Sequence, residues 1–237
     1  MKTDAKKIGF SILYALSRAG MAIVNFFKDA FKHMPYAFHV VIHPFDGFFR
    51  LKTEKRHHSV PCAVLLYVFL AVSTVLRKQA LNFMFTEDAN LNINIFLDML
   101  VSVLPYLLWG IANWCFTSLM DGDGSYRDIF CATGVALIPM TVCNILQIPL
   151  SYMLNLEEST IYTFVGGVGI FYTYALLFLG MIVTHQYSFG KGIVTAVLTI
   201  LGMLTIAFVA ILLAYLVQQI YDFVYDLASE IKYRQNE

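Results

Sequence analysis

The chain has 237 residues, 59% hydrophobic, 15% aromatic and only 14% charged, with a mean hydropathy of +0.67 and no formal net charge. A soluble domain carries about 25% charged residues, so there is too little charge here to cover a water-facing surface, and lipid must cover much of it. The neutral balance gives no reason to expect a nucleic-acid partner.

Residues 5–34 have two faces. Lys7, Ser11, Arg18, Asn25, Asp29 and Lys32 share one side of a helix, and Leu16, Gly20, Ile23, Phe27, Phe31 and Met34 fall opposite. A basic polar face against an aromatic and aliphatic one is the pattern of a helix lying in the membrane interface. As a signal peptide, Lys6 and Lys7 would precede Ile8–Leu16, but Arg18 stands where a small-residue cleavage site is needed. As a span over Ile8–Phe27, Arg18 would fall near the bilayer centre at a cost of about 2.5–3.5 kcal/mol. The interfacial helix avoids both difficulties.

The stretch Ile42-His-Pro-Phe-Asp-Gly-Phe-Phe-Arg-Leu-Lys52 follows. Pro44 biases His43 away from helical backbone, and Gly47 permits a turn. Phe45, Phe48 and Phe49 beside Arg50 and Lys52 suit a headgroup-level anchor. His43, His57 and His58 read as interfacial polar residues rather than metal ligands.

One short and four long apolar runs come next. Val60–Leu76 has 17 residues and ends at Arg77-Lys78; at about 1.5 Å per residue it reaches about 25 Å, enough for a thin bilayer. Ile95–Met120, Ile129–Leu154, Ile161–Thr184 and Ile193–Val217 each exceed the roughly 20 residues of a spanning helix. Backbone amides in lipid must be satisfied within the segment, so the runs should be helices. The residues from 218 to 237 keep the helical rhythm, with Ile220, Phe223, Val224, Leu227 and Ile231 along one face. The expected fold is an all-α membrane protein. Residues 1–59 form a cytoplasmic or interfacial amphipathic segment, 60–217 five transmembrane helices, and 218–237 an amphipathic helical extension.

Orientation follows from the positive charges. Lys2, Lys6, Lys7, Arg18, Lys28, Lys32, Arg50, Lys52, Lys55 and Arg56, with Arg127 and Lys191 in later loops, share one side. Arg77, Lys78, Lys232 and Arg234 are on the other. The positive-inside rule places the N-terminus in the cytoplasm and the C-terminus outside it.

Candidate functional residues fall in three groups. In the second run Asp98, Ser102, Pro105, Trp109 and Asn113 recur along one face, and in the third Thr141, Asn144 and Gln147 make a shorter polar row. Intramembrane polar groups turn inward and mark ion or proton paths by default, although Asp98 is close enough to the end of its run to reach interfacial water or Lys78. Between these runs stands Asp121-Gly-Asp-Gly-Ser-Tyr-Arg-Asp128. Its first residues resemble the start of a calcium loop but lack the rest of the ligand set. A turn accounts for them better: Gly122 and Gly124 supply unusual dihedrals, and Ser125 with Asp128 forms a capping box. In the fourth run Gly166, Gly169, Thr173 and Gly180 present a small-residue face, suited to close helix contact inside the chain or between chains, a homo-oligomer included. Cys62, Cys115, Cys131 and Cys143 lie in or beside apolar runs without metal-ligand spacing and read as buried and inert. No nucleophile–base pair, metal cluster or cofactor motif is present, and a non-enzyme is expected.

His43-Pro-Phe-Asp-Gly-Phe48, then Asn113-Trp114 and Leu119-x-Asp-Gly-x-Gly-Ser-Tyr-Arg-Asp128, then a proline-bearing run through Pro139, resemble the bacterial branch of the Yip1-domain family over roughly residues 38–217. The resemblance implies a five-span bundle with a cytoplasmic N-terminus. It also implies a setting beside binding-protein-dependent sugar importers rather than the GTPase partnerships of eukaryotic members, whose long cytosolic arm is absent here. The leading expectation is a membrane accessory protein that contacts the permease subunits of an ABC importer through the Asp121–Asp128 turn and the glycine face. Its competitors are a channel or transporter with a polar path near Asp98, Asn113 and Asn144, and a membrane-shaping protein that uses the N-terminal helix as a wedge.

Overall fold

The computed structural model describes residues 2–54, 59–82, 94–120 and 122–235, the side chains of 2–17, 19, 156 and 231–235 aside. Among them there is no strand. The order is α1 (Lys2–Ile42), α2 (Pro44–Thr53), α3 (Val60–Ala80), α4 (Ile95–Leu119), α5 (Tyr126–Ala136), α6 (Ile138–Met153), a 3-10 turn at Leu156–Glu158, α7 (Ser159–His185) and α8 (Phe189–Gln235). Five segments are long and apolar enough to cross a membrane: α3, α4, α5 with α6, α7, and α8.

The third span bends where α5 hands over to α6 at Leu137. Pro139 has no N–H for the helical ladder, and its ring crowds the preceding turn. The bend is buried, with Ala136, Leu137 and Ile138 between 0% and 3% exposed. It forms the centre of the core together with Leu70, Val40 and Leu176. The first span is longer than its apolar run. Helix α3 continues to Ala80, and Arg77 and Lys78 occupy its last turn, where cations suit the helix dipole.

The N-terminal region departs most from expectation. Helix α1 is 41 residues long and passes through Pro35 without ending. Its described apolar residues Ile23, Phe27 and Phe31 face outward, whereas Ala30, Ala37 and Val40 are buried. That stripe of modest side chains lets α1 lie against α3, where Ser59 donates to Asp29 Oδ2 (2.8 Å) and caps Cys62 N–H (3.3 Å). The chain then reverses at His43-Pro44, and α2 runs back along α7. Tyr36 Oη donates to the Gly47 carbonyl (2.9 Å), and Tyr172 Oη donates to the Val41 carbonyl.

Tyr172 lies midway along α7, about 20 Å from its C-terminal end at 1.5 Å per residue. The His43-Pro44 corner is therefore level with the middle of the bundle and does not form a headgroup-level anchor. The aromatic trio divides accordingly: Phe48 is 1% exposed and packs on Gly180, while Phe45 and Phe49 face outward. His57 and His58 lie outside the described residues.

Helix α8 is one continuous rod of 47 residues, about 70 Å long and more than twice a hydrocarbon core of about 30 Å. Its first turns pack on α4 through Thr195, Thr199 and Gly202. Beyond that point it leaves the bundle, with Leu204, Phe208, Leu212 and the large apolar residues through Leu227 exposed. The helical extension is the direct continuation of the fifth span.

Candidate functional site

The polar turn between α4 and α5 is held against the end of α7. Helix α4 closes with Gly122 N–H donating to the Thr117 carbonyl (2.8 Å). Helix α5 opens with the expected capping box: Asp128 N–H donates to Ser125 Oγ, and Ser125 N–H donates to Asp128 Oδ2 (2.9 Å). The glycines serve a different purpose from the one expected of them. None of the described glycines has positive φ, so unusual dihedrals are not the reason for them. A Cβ on Gly122 would lie 2.6 Å from both His185 Nδ1 and Tyr187 Oη, and one on Gly124 would lie 2.7 Å from His185 Cε1. Glycine is required because the backbone presses directly on an imidazole and a phenol. Asp121 lies outside the described residues.

His185 is 2% exposed and ties α7 both to α4 and to the turn between α4 and α5. Gly124 N–H donates to Nδ1 (3.3 Å), and His185 Nε2 lies 3.2 Å from Asn113 Oδ1. A backbone amide can only donate, so Nδ1 accepts and Nε2 carries the hydrogen, making the imidazole neutral. Asn113 then donates through Nδ2 to Thr199 Oγ1 (3.4 Å), which donates to the Thr195 carbonyl (2.8 Å). Each donor in this chain meets an acceptor, which is what a buried polar network needs to be stabilising. The α7–α8 corner adds a stack. Tyr187 lies over His185 at 5.4 Å between centroids, and Lys191 Nζ sits 4.4 Å from the Tyr187 ring. Gln186 makes the corner with φ 53°, the one positive φ among the described non-glycine residues.

The other polar residues occupy separate places. Asn144 is buried and donates to Ser73 Oγ and Thr74 Oγ1 (3.3 Å each) on α3. Gln147 donates to the Tyr162 carbonyl (3.1 Å). Asp98, in the first turn of α4, forms an ion pair with Lys78, and 15 residues of helix separate it from Asn113, about 22 Å along the axis. Asp98, Asn113 and Asn144 thus belong to three networks. The row from Asp98 to Asn113 is also not one inward face: Pro105 is exposed, and α4 turns Tyr106, Gly110, Asn113 and Thr117 inward. The glycines of α7 meet partners from this chain. A Cβ on Gly166 would touch Gln147, one on Gly169 would touch Cys143, and one on Gly180 would touch Phe48.

Cys62 and Cys131 are buried, Cys143 is half-buried, and Cys115 is exposed on α4, contrary to the expectation of four buried thiols. No group of three potential metal ligands occurs among the described residues. His185 escaped the sequence reading. Its only signal was a lone imidazole ending an apolar run on the side of the membrane that also carries the Asp-Gly-Asp-Gly turn.

A bundle of five apolar helices, tied at one end by a neutral polar network, defines this chain as an integral membrane protein. The family model of the Yip1 domain matches residues 38–217, most of the chain, which therefore belongs to the Yip1-domain family. No curated protein and no solved structure matches it.

Removing the cap is the mildest perturbation of the turn. Ser125→Ala should cost about 1 kcal/mol and speed hydrogen exchange at the first amides of α5, while exchange in α3 stays as in the parent.

Proposed function

We propose that this Yip1-domain protein is a non-catalytic accessory that docks beside other integral membrane proteins, with the permease subunits of an ABC-type sugar importer as its partners in a bacterial cell membrane. The observation that carries this reading is the exposed rim of the turn. Asp123, Ser125, Tyr126 and Arg127 face outward, while Gly122 and Gly124 behind them press on His185 and Tyr187. Side chains presented from a backbone fixed in this way lose little conformational freedom on association, which favours recognition. An aromatic and an arginine are also the residue types that contribute most at interfaces. In this reading the N-terminus and the turn face the cytoplasm and the C-terminus lies outside it.

A photoreactive phenylalanine derivative at position 126 should crosslink to importer permease subunits in native membranes. Reversing the rim charges with Asp123→Lys and Arg127→Glu should abolish the adduct while leaving membrane insertion intact. An undiminished adduct in the doubly reversed variant, or adducts to lipid alone, would count against the reading.

A further inference from the structure

At the end of the bundle opposite the turn, α3, α6 and α7 enclose a groove of about 290 Å³, the size of a small ligand pocket. Its chemistry is divided. Arg77, Gln147 and Tyr162 form its head, Gly167 its wall, and Met140 and Ile170 its foot. No carboxylate lines it among the described residues, and Arg77 is the one charged side chain among them. Arg77 Nη1 donates to Tyr162 Oη (3.5 Å), and its buried Nε has no hydrogen-bond partner among the described residues. A guanidinium with a donor left over is short of an acceptor, and its fork matches an oxyanion.

The position of the groove identifies what carries that oxyanion. Arg77 stands in the last turn of a spanning helix, at headgroup depth. Ile170 is eight residues further along α7 than Tyr162, about 12 Å deeper. Thr163, Gly167 and Ile170 are all exposed on the outer side of α7, so the groove opens sideways into the bilayer as well as toward its surface. We propose that it is a binding site for an anionic phospholipid, with the phosphate on Arg77 and one acyl chain running past Gly167 to Met140 and Ile170. Glycine at 167 keeps the path open: a Cβ there would meet nothing within 4 Å.

The test uses the full chain reconstituted in vesicles of equal parts phosphatidylglycerol and phosphatidylcholine, then extracted and weighed by native mass spectrometry. The parent should retain phosphatidylglycerol in preference to phosphatidylcholine. Arg77→Gln should weaken retention about tenfold or more, the loss expected for one charge-assisted contact. Gly167→Leu, which fills open space and improves helix propensity, should do the same with the unfolding midpoint unchanged. Equal retention of the two lipids, or parent-like retention in both variants, would overturn the proposal. Inorganic phosphate binding that needs Arg77 but ignores Gly167→Leu would also overturn it, assigning the groove to a free oxyanion.

Discussion

Replacing His185 with alanine should lower stability by about 3 kcal/mol, the cost of stranding buried hydrogen-bond partners and opening a cavity beneath the turn. The Gly124 amide would lose its acceptor and Asn113 Oδ1 its donor, with Asn113 fully buried and unable to recruit bulk water. Unfolding in mixed micelles by sodium dodecyl sulfate measures the change, and a midpoint equal to the parent's would refute the network's role. A second substitution sharpens the test. Gly124→Ala in the parent drives a methyl group against the imidazole and should cost about 1–3 kcal/mol by overpacking. In the His185→Ala background that obstacle is gone, although Thr184 Cγ2 still lies 2.9 Å from the new Cβ. The two losses should therefore fall short of additivity by about 1 kcal/mol, the signature of residues in direct contact. Strict additivity would mean that the turn and the imidazole do not bear on each other.

What could be read ahead of the structure was what depends on neighbours in sequence. Apolar runs of about 20 residues announce spans because the bilayer sets the length, and α4 to α8 appear where those runs lie. The Ser125–Asp128 capping box is an i to i+3 device, so its four residues contain the whole argument. His185 was opaque for the opposite reason: its contacts are 61 and 72 residues away along the chain. The same distance hid why residues 122 and 124 are glycine. A glycine chosen for dihedral freedom and one chosen for close approach look alike in a sequence, and only the imidazole and phenol opposite them decide the matter.

The α1–α2 corner is ambiguous in the sequence because phenylalanines beside arginine and lysine suit a membrane interface and a buried helical reversal equally well. What separates the two is Gly47, and it supplies the second large effect. A Cβ at this position would lie 2.7 Å from Val40 Cα, and a backbone atom cannot swing aside as a side-chain tip can. Gly47→Val should therefore pry α2 from α1, breaking the Tyr36–Gly47 hydrogen bond and withdrawing Phe48 from its seat on Gly180. Opening forfeits the buried Phe48 contacts, worth about 3–5 kcal/mol, and it should still occur because the overlap with the Val40 backbone cannot be relieved while the two helices stay packed. A cysteine in place of Phe45, close to the corner, reads out both states. In the parent background the bilayer should shield it from a charged maleimide added to either side of sealed vesicles, whereas one in place of Thr53 should react from the side that carries the turn. With Gly47→Val, position 45 should become reactive from that same side, as mapped by mass spectrometry. Rapid labelling at 45 in the parent would place the corner in water and remove the case for a helical hairpin that enters the membrane and turns back.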